Sequence, residues 1–150
     1  MTIRLATADD DIRLLAFLVA LAEESAFTRG ESVNRSHLAA RLDELLQNPT
    51  AGFIVAETSD GAIVGLLVLL LFDHLISGRR GAAQVCWYVM PEWRGSLGAN
   101  VLDAGLAWAC AHGATYVQML APEQKFAAFY TRRGYHLTDR VYERSLVCRG

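Results

Sequence analysis

A short turn in the second half of the chain carries residues that are suited to binding a phosphate group. The turn runs Arg94-Gly95-Ser96-Leu97-Gly98-Ala99 and joins a strand that ends at Met90-Pro91 to an apolar helix that begins at once. Small residues let a ligand approach the main chain closely. The N–H groups at the start of a helix and the positive end of its dipole favour a phosphate. Arg94 adds a positive side chain to the same turn.

Two common phosphate-binding motifs do not describe this turn. A dinucleotide fingerprint requires G-x-G-x-x-G after the first strand of a parallel sheet. A P-loop requires Gly-Lys followed by Ser or Thr, and the turn contains no lysine. The alternative interpretation is an ordinary strand–turn–helix connection whose glycines serve only its geometry.

The segment Val89-Met90-Pro91-Glu92-Trp93-Arg94 resembles motif A of the GNAT acetyltransferase superfamily. In that motif a strand ends in Val-x-Pro-Glu, an aromatic residue follows, and Arg/Gln-x-x-Gly-x-Gly/Ala opens a long helix. Here Leu97 stands where the first glycine is usual, Gly98 comes one place late, and Ala99 is an accepted last residue. The resemblance implies an acetyl-CoA site that is formed by Trp87, Tyr88 and Val89 along the pantetheine arm and by Arg94, Gly95, Ser96, Leu97, Gly98 and Ala99 at the phosphates.

A second segment, from Phe126 to Tyr135, resembles motif B of the same superfamily, in which an aromatic residue and a tyrosine precede x-x-x-Gly-Phe/Tyr. The resemblance implies that Phe126 helps to bind CoA and that Tyr130 lies near the CoA sulfur as general acid for the departing thiolate. A phenol with a pKa of about 10 suits that proton transfer. Glu123 replaces an asparagine that is often found before the tyrosine. The alternative for Tyr130 is a packed aromatic residue at a helix end.

Hydrophobic periodicity predicts the elements that position these residues. Helices are expected over Asp10–Glu24, from Ser36 to Pro49, over Ser96–His112 and over about Glu123–Arg132. Strands are expected over Ile3–Ala6, Phe53–Ala56, Ala62–Phe72, Ala83–Val89 and Thr115–Leu120, with one or two more between Tyr135 and Leu146. The opening, Ile3 to Asp10, also resembles the start of many GNAT proteins. We therefore expect one three-layer α/β domain over residues 1–150, with a mixed, mostly antiparallel sheet of six to seven strands and helices on both faces.

Composition narrows the class of protein further. The chain has 150 residues, 53% of them hydrophobic and 20% charged, which is enough for one packed domain. A net charge of −2 disfavours nucleic acid as a partner. The longest apolar run, Ala62–Phe72, is about half of a membrane span and is better explained as a buried strand. Cys86, Cys110 and Cys148 have spacings that suit neither a disulfide framework nor a metal site, so we expect a cytoplasmic protein without a metal.

The predicted function is direct transfer of an acetyl group from acetyl-CoA to a primary amine of a small molecule or a peptide. One alternative is a non-catalytic acyl-CoA-binding or regulatory module of the same fold, and another is an interaction domain without a CoA site. Fold alone does not decide between these functions. The sequence leaves a homodimer open.

The general base that would deprotonate the amine is not assigned by the sequence. The strand before the turn offers Gln84 and Cys86 instead of an acid. Other candidates are Glu23, Glu24, Asp73 and His74, and water is an alternative. Glu23, Glu24 and Glu31 also form an acidic stretch that would favour a cationic amine, or that is simply a solvated acidic surface.

Overall fold

The computed structural model of the protein describes residues 1–24 and 31–147. Its helices are α1 (Asp11–Glu23), α2 (Arg35–Leu46), α3 (Ser96–Ala111) and α4 (Gln124–Arg132). Its strands are β1 (Thr2–Leu5), β2 (Ala51–Glu57), β3 (Ile63–Asp73), β4 (Arg80–Val89) and β5 (Tyr116–Gln118). The chain divides into two compact units, Met1–Met119 and Leu120–Gly150. The polar sequence of residues 25–34 predicts a loop, of which residues 25–30 lie outside the described residues, as does Cys148.

The first unit contains a five-stranded sheet in the order β1-β2-β3-β4-β5. The first four strands pair antiparallel with their neighbours, and β4 pairs parallel with β5. Such a parallel pair needs a crossover connection, which α3 supplies between β4 and β5. The expected mixed, mostly antiparallel sheet is therefore confirmed.

Helices cover both faces of this sheet, as the apolar patterning predicts. Helices α1 and α2 place Leu14, Phe17, Leu21 and Leu42 in one buried cluster with Phe53, Val55, Leu66, Val68 and Cys86 from the sheet. Helix α3 lies on the opposite face and buries Val101, Leu102, Gly105 and Ala109. The close approach of α3 depends on Gly105, since an added Cβ would stand 2.4 Å from Leu67 Cδ2. This packing fixes the position of the start of α3 relative to the end of β4.

The second unit contains α4, and Gly134 follows shortly after the end of this helix. Gly134 has φ of 85°, a conformation that suits glycine, and the Gly134 and Tyr135 N–H groups donate to the Thr131 and Tyr130 carbonyls. These two hydrogen bonds satisfy carbonyl groups at the end of α4. The predicted single domain over residues 1–150 stays a prediction.

The one or two final strands that the sequence predicts over Tyr135–Leu146 are wrong. Within the described residues of this stretch there is no strand. An alternating pattern favours a strand only where one face is buried. Here the apolar side chains of Leu137, Val141, Tyr142 and Leu146 are all at least 73% exposed. The described part of the chain accordingly has five strands in place of the expected six to seven.

Candidate acetyl-CoA site

Strand β4 contains one extra residue at the point where its pairing with β5 ends. The β3–β4 register passes from Val68 opposite Cys86 to Leu69 opposite Gln84, which leaves Val85 as a bulge. The β4–β5 ladder comprises three pairs and ends at Ala83 opposite Gln118. A bulge bends a strand and increases its twist. The part of β4 from the bulge to Val89 therefore continues beyond its pairing with β5.

The bulge also places the two residues of β4 that flank it on opposite faces of the sheet. Gln84 pairs with Leu69, whose side chain lies against the α3 side, whereas Cys86 belongs to the cluster under α1 and α2. Burial raises the pKa of the Cys86 thiol to about 12. Cys86 therefore stays protonated near neutral pH and is unsuited to act as a base or nucleophile.

The turn after β4 presents the start of α3 with little side-chain cover. A 3₁₀ turn over Pro91–Trp93 leads to Gly95, the N-cap of α3, which has φ of 119°. A glycine suits this backbone, and nothing lies within 4 Å of an added Cβ at Gly95. The first N–H groups of a helix, here those of Ser96, Leu97 and Gly98, lack intrahelical acceptors. They are groups to which a phosphate would bind.

Gly98 lies on the side of the first turn that faces the sheet. An added Cβ there would stand 3.7 Å from Trp87 Cζ2 and 3.9 Å from Val89 Cγ2, which is ordinary contact. Trp87 and Val89 thus lie beside the start of α3, as the expected acetyl-CoA site requires. The residue whose side chain is exposed at the same turn is Ser96.

Arg94 connects this turn to two other elements. Its Nε donates to the carbonyl oxygen of Val89 over 3.0 Å, and its Nη2 lies 3.2 Å from Glu24 Oε2. Its Cζ stands 5.5 Å from the centre of the Tyr88 ring, a cation–π distance. In this structure the guanidinium of Arg94 therefore binds the carboxylate that follows α1.

Tyr88 completes this group, which we call the Glu24 cluster and define as Glu24, Tyr88 and Arg94. The Tyr88 hydroxyl donates a hydrogen bond to Glu24 Oε2, and the Tyr88 ring packs edge-on against Phe17 of α1. Burial, followed by the hydrogen bond to Glu24, raises the pKa of Tyr88 to about 12. Tyr88 is thus held as a hydrogen-bond donor to Glu24 throughout the neutral range.

The two predicted residues of motif B lie on α4, in the second unit. Phe126 is half-buried, and Tyr130 is buried with its hydroxyl donating to the Leu120 carbonyl over 3.0 Å. Desolvation raises the pKa of Tyr130 above its ordinary value, with a smaller contribution from Tyr135. Tyr130 therefore holds its proton at neutral pH, as a general acid must, but gives it up less readily than a free phenol.

The remaining candidate bases are placed differently. Asp73 binds Arg80 over 3.0 Å at the β3–β4 hairpin, and this hydrogen bond lowers the pKa of Asp73. His74 Nδ1 accepts from the N–H groups of Ile76 and Ser77 in the same hairpin. Glu23 is exposed at the end of α1. Of the candidate carboxylates, Glu24 is the one that contacts the end of β4, through Tyr88.

The structure thus brings the residues of motif A together and adds a contact with Glu24, which the sequence names only as a candidate. Trp87, Tyr88 and Val89 lie along the end of β4, and residues 94–99 follow at the turn and the start of α3. The contact of Glu24 with Tyr88 joins residues 64 positions apart, so no local spacing signals it. Within residues 1–24 and 31–147, no three His, Cys, Asp or Glu side chains are grouped as a metal site. No helix of those residues is long and apolar enough to cross a membrane.

Known structures share this fold over nearly the whole chain. The chain is similar to the ribosomal-protein-alanine N-acetyltransferase of Brucella melitensis biovar Abortus, with a TM-score of 0.73, 18% identity, and coverage of 97% of this chain and 100% of that one. It is similar to an acetyltransferase of Trypanosoma brucei, with a TM-score of 0.74, 20% identity, and coverage of 97% and 99%. It is also similar to a transcriptional regulator of Bacillus halodurans, with a TM-score of 0.80, 20% identity, and coverage of 97% and 99%.

These likenesses show that the chain has the GNAT fold that the two sequence motifs indicate. No protein-family model matches the sequence, and no curated protein matches it. The fold is therefore established by structure, whereas the activity has to be argued from the site.

Proposed function

We propose that this chain is an acetyl-CoA-dependent N-acetyltransferase that transfers an acetyl group to a primary amine. The observation that carries the proposal is the geometry at the end of β4. The strand passes its last pair with β5, bulges at Val85, and leads through a glycine turn directly into the start of α3. This arrangement offers main-chain groups to an extended arm and helix N–H groups to a pyrophosphate, which are the two parts of CoA.

The proposed reaction is a direct acyl transfer. The neutral amine nitrogen attacks the thioester carbonyl carbon, a C–N bond forms, the C–S bond breaks, and the sulfur leaves as thiolate. A main-chain N–H near Val89 would stabilise the negative charge that develops on the carbonyl oxygen. Tyr130, in the role that the resemblance gives it, would protonate the thiolate, for which its hydroxyl must leave the Leu120 carbonyl. The proton that the ammonium loses before attack goes to water or to a carboxylate. The nitrogen loses a second proton as the amide forms, and this proton replaces, through water, the one that Tyr130 gives to the thiolate.

A second candidate function is a non-catalytic acyl-CoA-binding or regulatory module. Two observations favour it: one structure of this fold is named as a transcriptional regulator, and the Tyr130 hydroxyl is bound to Leu120 within a buried environment. The two functions share the CoA site and differ in turnover, so the same experiments separate them.

Binding of acetyl-CoA is tested first, by titration calorimetry on the wild type, Ser96→Glu and Ser96→Ala. A glutamate at the first position of α3 stabilises the helix but competes with a phosphate for its positive end. We expect Ser96→Ala to bind within about twofold of wild type and Ser96→Glu to bind at least about tenfold more weakly. Absence of binding by the wild type would contradict the proposed function. Equal binding by all three would show that the phosphates lie elsewhere.

Turnover is tested by the release of free CoA thiol with a panel of primary amines. The panel includes a peptide that begins with alanine, because one structure of this fold is named as a ribosomal-protein-alanine acetyltransferase. We expect Tyr130→Phe to lower kcat about 10²-fold while the acetyl-CoA Kd changes little. Binding of acetyl-CoA without turnover of any amine would favour the regulatory module.

A further inference from the structure

The Glu24 cluster contains a carboxylate with capacity for a further partner. Glu24 directly follows α1, and its side chain is 45% exposed. Its oxygens accept from the Tyr88 hydroxyl and from Arg94 Nη2. A carboxylate has about four lone-pair positions, so these donors leave room for another. Its two donors belong to the end of β4 and to the turn that follows it.

Arg94 belongs to this cluster and also to the turn that precedes α3. Its side chain is 53% exposed, and its ion pair with Glu24 is therefore of the weak, solvent-screened kind. A phosphate is a stronger partner for a guanidinium, because it offers short, charge-assisted hydrogen bonds with two parallel N–H groups. A phosphate bound at the start of α3 would accordingly attract Arg94 away from Glu24.

When Arg94 moves to the phosphate, Glu24 keeps the hydrogen bond from Tyr88. Among the described residues, no other cationic side chain then pairs with its negative charge. Tyr88 donates to Glu24 at neutral pH, because its pKa is raised. The group that best complements such a carboxylate is a cation with several N–H donors. A primary ammonium has three donors and one positive charge. The end of β4, where the proposed thioester binds, lies beside this position.

We propose that Glu24 binds the ammonium group of the acceptor amine, and that acetyl-CoA prepares this site by drawing Arg94 away from Glu24. The inference rests on the proposed function and deepens it, since it assigns the acceptor as a cationic amine and names its binding residue. It also implies positive coupling, in which each substrate strengthens the binding of the other.

Two adjacent glutamates allow a matched test. Glu24→Gln keeps an acceptor for Tyr88 but removes the charge that holds Arg94. Glu23→Gln makes the same charge change at the exposed neighbouring residue. We expect Glu24→Gln to lower the Kd for acetyl-CoA by about two- to fivefold and Glu23→Gln to leave it unchanged. Thermal unfolding of both variants checks that each is folded to the same degree.

The proposed contact between Glu24 and the acceptor amine is tested by steady-state kinetics at saturating acetyl-CoA. For each amine of the panel that turns over, Glu24→Gln is expected to raise KM about tenfold, because a charge-assisted hydrogen bond is lost. Glu23→Gln should leave KM unchanged. A tighter acetyl-CoA complex together with a weaker amine complex is a pair of opposite effects that a general loss of structure does not produce.

Different experimental results would contradict the proposed function and the proposed role of Glu24. If the wild type does not bind acetyl-CoA, the proposed function is wrong and this inference fails with it. If the wild type binds acetyl-CoA and Glu24→Gln equals Glu23→Gln in the acetyl-CoA Kd, or binds more weakly, the role of Glu24 alone is overturned. An amine KM in Glu24→Gln that equals that of Glu23→Gln overturns it as well.

Discussion

Two clusters that pair a carboxylate with arginine lie at the two ends of α1, and they differ in exposure. Just before the start of the helix, Asp10 is 1% exposed and is bound by Arg4 over 2.8 Å and by Arg13. Glu57 of β2 joins both arginines at 2.7 Å, which closes the network. Just after the end of the helix, Glu24 and Arg94 are about half exposed and are 3.2 Å apart.

The difference separates a structural ion network from one that can exchange partners. Asp10 also accepts from the Thr7 N–H over 2.8 Å, so its oxygens are filled by groups that the fold holds in place. The Arg4 hydrogen bond keeps the pKa of Asp10 far below its usual range. A buried charge with this many partners is costly to disturb. Glu24 has a partner that water and ligands can reach, so its ion pair is easily replaced.

The largest expected effect is the loss of stability in Asp10→Asn. The amide would place N–H donors against two guanidinium groups and remove the charge that they surround. We expect the free energy of unfolding to fall by about 2–4 kcal/mol. Denaturant titration measures it, with Asp9→Asn as the exposed control that should change it by less than about 0.5 kcal/mol. Equal stability of the two variants would show that the Asp10 network is not structural.

The same network predicts how stability responds to acid. Arg4 lowers the pKa of Asp10 in the folded protein, whereas an unfolded aspartate has a pKa of about 3.9. The stabilisation is therefore complete above about pH 4 and is lost as the pH falls toward the lower folded-state pKa. The pKa of Glu57 is lowered too, through its hydrogen bonds to Arg4 and Arg13. Between pH 5 and pH 3 the Tm of the wild type should fall more steeply than that of Asp10→Asn, and parallel curves would argue against this cause.

The Glu24 cluster predicts a smaller effect, which concerns acetyl-CoA binding instead of stability. Arg94→Gln removes the positive charge of the turn and is expected to weaken acetyl-CoA about fivefold to tenfold, while unfolding changes by less than about 0.5 kcal/mol. Titration calorimetry and denaturant titration measure the two quantities. Arg41→Gln is a suitable control, because Arg41 forms an exposed pair with Glu44 on α2. An unchanged acetyl-CoA Kd in Arg94→Gln would remove Arg94 from the site.

The smallest expected effect is that of Tyr88→Phe, which keeps the ring against Phe17 and removes the hydroxyl that donates to Glu24. Without that donor Glu24 depends more on Arg94. We expect the acetyl-CoA Kd to rise by about twofold and the free energy of unfolding to fall by at most about 1 kcal/mol. A larger loss of stability would place Tyr88 with the structural residues.

Local sequence patterns predict the parts of this molecule whose structure is decided locally. The turn from Arg94 to Ala99 and the helix after it follow from small residues, a proline and apolar periodicity within a short span. The cap formed by Thr7 and Asp10 is of the same local kind, since the two residues lie three positions apart. Both functional motifs belong to this class.

Features that arise from pairing between distant segments are not readable in the same way. The bulge at Val85 is a property of the β3–β4 register, and neither strand alone contains a signal for it. The contact of Glu24 with Tyr88 depends on how α1 lies on the sheet. The expected strands after Tyr135 fail for a related reason, because alternation in the sequence does not supply a surface on which to pack.

The single extra residue at Val85 makes β4 two half-strands that are out of phase with each other. Up to Gln84 the even-numbered residues face α3, whereas from Cys86 onward the even-numbered residues face α1 and α2. Deleting Val85 would make Gln84 and Cys86 neighbours opposite Leu69 and Val68, so Trp87 and Tyr88 would keep their present faces and the bend of the strand would be lost. The bulge is thus the place where β4 can lose one residue without exchanging the side chains that face α1 and those that face α3.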